Sequence, residues 1–181
     1  NPIICLPTAN RSDENAKKTL GHFVSSLPFI VDLNTAEYPA NFITDFKNVL
    51  KKGYRHQSYF YSHIIRDIQQ KFQEEINIGE ISFSYHKKKG DYQYGEIQSE
   101  IDLLNMDGNR PIAIYFGDNN TNKGPKIDFS FGKNLFTQQQ CDYFTTCFEK
   151  YYLELHNWLD KPFKEILSGI ELVEVSEKSI L

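Results

Sequence analysis

The stretch "TLGHFVSSLP", residues 19–28, breaks the pattern of the chain around it. It is apolar enough for a core strand, yet it alternates for only a few residues, carries Gly21 and His22 near its start and stops at Pro28. A proline cannot donate to a sheet ladder, so a strand that contains Pro28 belongs at an edge, a bulge or a rim. Working outward, Phe23, Val24, Leu27, Phe29, Ile30 and Val31 predict a mostly buried strand interrupted by that proline. Upstream, Ile3 to Leu6 is a short apolar run closed by Pro7 and followed by the polar segment Thr8 to Lys18, which reads as a strand feeding a loop.

Downstream the spacing turns helical. Phe42, Ile43, Phe46, Val49 and Leu50 recur at three and four residues across 38–52, the mark of a helix with one buried face, and Gly53 fits its C-cap. A second helix follows from about Tyr59, with Tyr61, Ile64, Ile65, Ile68 and Phe72 on one stripe, joined to the first by "GYRHQS". The period then changes to two. Ile81, Phe83 and Tyr85, then Ile97, Ser99, Ile101 and Leu103, then Ile127, Phe129 and Phe131 each predict a half-buried strand, with "KKKGDYQYG" and "NMDGNRP" as turns. "PIAIYFG" is continuously apolar, as an interior strand covered on both sides should be. Thr137 and Gln140 have capping-box spacing, so a long helix starts there and runs to Pro162 with Cys141, Phe144, Phe148, Tyr151, Tyr152, Leu155 and Trp158 as its core stripe. "IELVEV" is a last short strand or an extended tail. The order of elements predicts an α/β fold, a two-layer sandwich of a mixed, mainly antiparallel sheet with helices on one face.

The 181 residues, 40% hydrophobic and 14% aromatic, support one well-buried core and make two ordinary domains improbable on length alone. A net charge of -4 supplies no basic face for neutralising nucleic-acid phosphates. No run reaches the roughly 18 apolar residues of a membrane span, and the first residues lack the charged start and apolar block of a signal peptide, so a soluble cytoplasmic protein is expected. Cys5, Cys141 and Cys147, odd in number and scattered, read as reduced, buried thiols. The chain opens "NPIICLP" without an initiator Met and with an apolar run at its third residue, which reads as a cut or processed fragment entered from something upstream.

Local chemistry is sparse. Among His22, His56, His63, His86 and His156, only His63 has a matched group, Asp67 four residues on, and a surface pair is the simpler reading because no nucleophile accompanies it. Cys141 and Cys147 lie off one helical face, and no C-x-x-C or H-E-x-x-H occurs, so no metal site is expected. No glycine-rich phosphate cradle is present either.

The motifs in order do carry a resemblance. "IICLPTANR", then "LGHFVSSLPFIVDL", a helix and "YRHQSYFYSHII" resemble the C-terminal half of a nonribosomal peptide synthetase condensation domain, of the chloramphenicol acetyltransferase-like superfamily. In that family a G-x-P-x-x-x-R strand-loop precedes a G-x-F-V-N-T-L-like strand, and a helix leads to H-Q-D-x-P-F-E. Arg11, Gly21, Phe23, Val24, His56 and Gln57 match; Cys5 stands where Gly is usual, Ser25 replaces Asn, and Ser58 to Tyr61 replace D-x-P-F. The later R-D-x-S-R-N-P-L stretch has no clear counterpart. "DFSFGKNLF" holds the place of the late aromatic strand.

The resemblance implies one lobe of a two-lobed pseudo-dimer with a tunnel between the lobes. Residues 1–160 would be the C-terminal subdomain and 161–181 a tail or linker toward the next domain. The family's catalytic H-H-x-x-x-D-G motif lies in the other lobe, and this chain has no His-His pair, so no catalytic residue is expected here and the lobe alone should be inactive. Its contribution would be to amide-bond formation between carrier-bound donor and acceptor, with Arg11, Gly21, Phe23, Val24, Ser25, His56 and Gln57 as tunnel wall and positioning residues. Gly21 would admit the thin pantetheine arm, Phe23 and Val24 would pack the strand into the lobe, and Ser25 and Ser26 would leave room and polar atoms at the channel surface. The implied partners are the N-terminal condensation lobe, peptidyl carrier proteins and an adjacent adenylation domain, with no nucleic acid and no membrane. No cofactor would bind directly; the phosphopantetheine arm of the carrier is the substrate tether. The alternatives are a non-catalytic docking module of the same fold and half of an epimerisation or heterocyclisation domain.

Overall fold

The computed structural model describes residues 1–73, 78–87, 93–94, 97–98, 110–118 and 125–170. The elements run β1 (Ile3–Thr8), α1 (Glu14–Lys18), β2 (Ser25–Ile30), α2 (Pro39–Arg55), α3 (Tyr61–Phe72), β3 (Ile81–Lys87), β4 (Gln93–Tyr94), β5 (Ile97–Gln98), β6 (Ile112–Asp118), β7 (Lys126–Phe131), α4 (Gln138–Trp158) and α5 (Phe163–Gly169). Five strands form one sheet in the order β2-β1-β3-β6-β7, and β4 pairs with β5 separately. The sheet is mixed in a definite way. Parallel pairs β1–β3 and β3–β6 occupy its middle, and antiparallel pairs β2–β1 and β6–β7 its two margins. The central parallel pairs require long crossovers, which α2, α3 and the chain between β3 and β6 provide.

The register shows where the helices lie. Phe29 pairs with Ile4, Ile4 with Ile81, Ile81 with Ile112 and Ile112 with Phe131, so these five residues form one row across the sheet and share a face. At one end of the row, Phe29 meets Phe46 and Tyr54 of α2 at ring distances of 6.3 and 6.2 Å. At the other, Phe131 meets Phe144 of α4 at 5.7 Å. Both helices therefore cover the same face, as the sequence pattern predicts. The rest of α4 follows suit, Phe148 packing on Phe129 at 5.1 Å and Tyr152 on Phe116 at 6.0 Å.

Several boundaries differ from the expectations. The second strand begins at Ser25 rather than Phe23. Part of the polar segment after β1 forms α1, whose N-cap Asp13 accepts from the Ala16 N–H at 2.7 Å; five residues are too few to show a period. Gly53 is not a C-cap, because α2 continues to Arg55. Its missing side chain has a packing cause instead, since a Cβ there would overlap the buried ring of Phe29. The capping box forms as expected, with the Gln140 N–H donating to Thr137 Oγ1 at 3.2 Å and Thr137 N–H to Gln140 Oε1 at 2.8 Å. The expected tail from residue 161 begins as a packed helix: Phe163 donates its N–H to Glu37 O at 2.8 Å and meets Phe42 at 6.0 Å, and Ile166 of α5 is buried. Of the strand expected over 97–103 only Ile97–Gln98 is described, as β5; residues 171–181, most of "IELVEV", residues 99–103 and most of both long turns lie outside the described residues. Among the described residues no helix is long and apolar enough to cross a membrane.

A glycine junction joins the sheet to α3. Gly79 has φ +102, a conformation that disfavours any side chain, and a Cβ there would lie 2.6 Å from Cys5 Sγ and 3.1 Å from Tyr61 Oη. Arg110 donates to Gly79 O at 2.7 Å and lies 5.1 Å from the centre of the Tyr61 ring, whose hydroxyl donates to Ile78 O. Cys5 is wholly buried there, and burial pushes its thiol pKa up despite the opposing pull of Arg110. Cys141 and Cys147 are only half-buried, and all three thiols are free.

Candidate functional site

Most of the motif residues fall into two hydrogen-bonded groups at the β2 end of the sheet. In the first, Arg11 reaches back over the loop that it opens. Its guanidinium donates to the carbonyls of Ala16, of Thr19 at 2.7 Å and of Gly21 at 2.9 Å, and lies 4.2 Å from the centre of the Phe23 ring. The planar, multi-donor head suits this task in a way that a lysine would not. Arg11, Gly21 and Phe23 are thus brought together as a loop clamp.

The second group ties the strand ends to the helix connector. Thr8 at the end of β1 donates its hydroxyl to Gln57 Oε1 at 2.5 Å, and the Tyr61 N–H at the start of α3 donates to Ser25 Oγ at 3.2 Å. Thr8 and Ser25 face one another across β1 and β2. Ser25 is buried and its hydroxyl satisfies an otherwise orphaned helix N–H, so its small side chain serves a framework bond. Val24, expected to pack the strand into the lobe, is 52% exposed because the strand starts one residue later. His56 is exposed at the α2 C-cap, where its backbone N–H bonds to Gly53 O at 2.9 Å.

Between these groups lies an open pocket of ≈ 490 Å³ lined by Ser12, Lys51, Tyr54, Arg55, Gln57 and Ser58. Lys51 and Arg55 are four apart on α2 and so share a helical face. The lining holds two cations, three hydroxyls and one amide, and no carboxylate. Burial raises the pKa of Tyr54. Such a lining can donate several hydrogen bonds to an anion with acceptor oxygens. Sequence reasoning found Gln57 but missed the other five. The spacing of Lys51 and Arg55 was the available signal, but only the fold brings Ser12 to them. Among the described residues no group of acids, histidines and cysteines could hold a metal ion.

The expected His63–Asp67 pair is arranged differently. Asp67 accepts a hydrogen bond from the Tyr59 hydroxyl and two from Arg66, at 3.2 and 3.1 Å, while His63 packs on the rings of Tyr59 and Phe60.

The chain resembles known proteins along most of its length. It is 25% identical over 179 residues to Surfactin synthase subunit 1 of Bacillus subtilis (strain 168), covering 95% of this chain and 5% of that protein. A holo four-domain nonribosomal peptide synthetase bound to AMP and glycine shares the fold at TM-score 0.65 and 16% identity, over 81% of this chain and 12% of its own. The first condensation domain of the CDA synthetase does so at TM-score 0.64 and 15% identity, over 85% of this chain and 34% of its own. The 181 residues thus span a small part of each relative. The family model described as "Condensation domain" matches residues 1–172, and the chain belongs to the condensation domain family.

Proposed function

We propose that this chain is the C-terminal lobe of a condensation domain that forms amide bonds between a carrier-bound acyl or peptidyl donor and an aminoacyl acceptor in nonribosomal peptide synthesis. Its task is positioning. The pocket beside Gln57 holds the phosphodiester of a carrier's phosphopantetheine arm, while the proton-handling histidine comes from the N-terminal lobe. The observation that carries this reading is the pocket lining, in which Lys51 and Arg55 meet hydroxyls without an opposing carboxylate. Fixing the arm at one point converts an encounter of two tethered substrates into an aligned one, an effect that can supply several of the roughly 7–11 kcal/mol available from orientation.

Binding of free 4′-phosphopantetheine to the 181-residue chain, followed by amide chemical shifts, tests the site. The double variant Lys51→Glu, Arg55→Glu should bind at least tenfold more weakly, and affinity should fall with added salt; unchanged affinity removes the proposal. A thioester-to-amide assay with loaded carriers should give no turnover above background for the chain alone, and robust turnover would refute the missing-base argument.

A second reading, a non-catalytic docking module, draws on the hydroxyl of Ser25 and the amide of Gln57, both of which make framework bonds. Carrier binding without peptide-bond formation, once the upstream lobe is restored, would favour it.

A further inference from the structure

Leu20 is 98% exposed, far beyond the next most exposed large apolar residues among the described ones, Leu153 at 62% and Ile30 at 61%. A single exposed leucine on a free loop needs no explanation. This one is not on a free loop. Arg11 holds the carbonyls of Thr19 and Gly21, the residues on either side of it, and Thr19 Oγ1 donates to Asn15 O at 2.6 Å. The backbone is pinned on both flanks while the side chain stands in water, so the ordering cost of a docking contact has already been met in folding. Val24, 52% exposed, adds apolar surface to the same segment.

The surroundings specify the partner. Lys18 closes α1 just before Leu20, beside Lys17, which pairs with Glu14 at 2.6 Å, and Ser12, adjacent to Arg11, lines the basic pocket with Lys51 and Arg55. An apolar tip on the loop that carries Ser12 into the basic pocket fits a protein surface with an apolar patch, acidic neighbours and a phosphodiester. A second copy of this chain fits poorly, because a two-fold contact would set the basic patch against itself.

We propose that Leu20, presented by the Arg11 clamp, is the apolar anchor for the carrier protein whose phosphopantetheine enters the neighbouring pocket; this rests on the reading of that pocket given above. Arg11 is then a positioning residue.

The test measures the affinity of the chain and its variants for three probes: free 4′-phosphopantetheine, a holo peptidyl carrier protein and the apo form of that carrier. Leu20→Asp should leave affinity for free phosphopantetheine within about twofold and weaken holo-carrier binding tenfold or more, with Leu20→Ala intermediate. Apo-carrier binding, weaker throughout, should fall by a similar factor in Leu20→Asp. Arg11→Lys should reproduce the selective loss for the carrier, with new proteolytic cleavage within 14–22. Wild-type holo-carrier affinity in Leu20→Asp, with phosphopantetheine binding intact, overturns the anchor and leaves the pocket standing. Loss of affinity for free phosphopantetheine in Leu20→Asp also overturns it. A lowered thermal midpoint of Leu20→Asp in a protein carrying both lobes would assign Leu20 to the lobe interface instead, and equally overturns it. Failure of the pocket itself is read separately, from unchanged phosphopantetheine affinity in Lys51→Glu, Arg55→Glu.

Discussion

The two margins of the sheet are fastened to their helices by different physics. At the β7 margin, α4 is held by rings: Phe144 lies 6.0 Å from Phe129 and 5.7 Å from Phe131, and Phe148 and Tyr152 stack on one another at 6.3 Å. At the β2 margin, Phe29 makes a similar contact with α2, but Thr8–Gln57 and Ser25–Tyr61 add directional bonds between separate elements, and the Arg11 clamp adds more within the loop that joins β1 to β2. Each margin has a pocket of similar size. The one at β7, ≈ 540 Å³, includes Asp128 and Asp142 with Phe129, Phe131 and Phe136, whereas the one at β2 has cations and no acid. Ring packing is tolerant of direction and suits a scaffold. Hydrogen bonds fix angles, and fixed angles are what a site for positioning a ligand requires.

The strongest way to break this comparison is to remove one ring from each margin. Phe29, 4% exposed, should cost about 3–5 kcal/mol on truncation to Ala, and folded molecules should bind phosphopantetheine less well because α2, which carries Lys51 and Arg55, rests on that ring. The half-buried Phe129 should cost less, about 2–3 kcal/mol, with binding per folded molecule unchanged. Urea denaturation and ligand titration of both variants measure this, and a binding defect in folded Phe129→Ala would erase the distinction between the margins.

A finer probe removes one directional bond. Gln57→Ala leaves the hydroxyl of Thr8, a residue 7% exposed, short of its acceptor and should cost about 1–2 kcal/mol. Phosphopantetheine affinity should fall severalfold at the same time, because Gln57 also lines the pocket. A stability loss with no change in affinity would make Gln57 purely structural.

The smallest effect is expected where a directional bond lies in solvent. The Tyr59 hydroxyl holds the Asp67 carboxyl below the usual carboxylate range, and Arg66 adds to this, while the same bond raises the pKa of Tyr59. A depressed folded pKa means that the contribution exists above the unfolded carboxylate pKa and is lost as pH falls through the folded one. Tyr59→Phe should therefore raise the Asp67 pKa in a carboxyl NMR titration and shift its acid limb upward, with little change in stability at neutral pH. An unmoved Asp67 titration would show that the tyrosine has no part in it.

Much of this was legible beforehand, for identifiable reasons. The helices over 39–55 and 138–158 announced themselves through apolar spacing and the Thr137–Gln140 box, both local properties. Gly53 reads as a cap because a glycine after a periodic run usually is one, whereas the ring of Phe29 that excludes a side chain there is distant in sequence. The tail assigned from residue 161 hid α5, a seven-residue helix too short for its period to stand out. Arg11, Gly21 and Phe23 were recognisable as a motif, but nothing in their spacing said that the arginine would spend its donors on carbonyls of its own loop.

By itself, then, the sequence determined the order and kind of the main elements and the family to which their motifs point, because periodicity, capping and turn chemistry act over a few residues. The tertiary structure alone decided the parallel centre of the sheet, the pairing of Thr8 with Gln57, and the meeting of Ser12 with Lys51 and Arg55 in one pocket. Those depend on which distant surfaces bury one another, and burial is a sum over the whole chain that no short window contains.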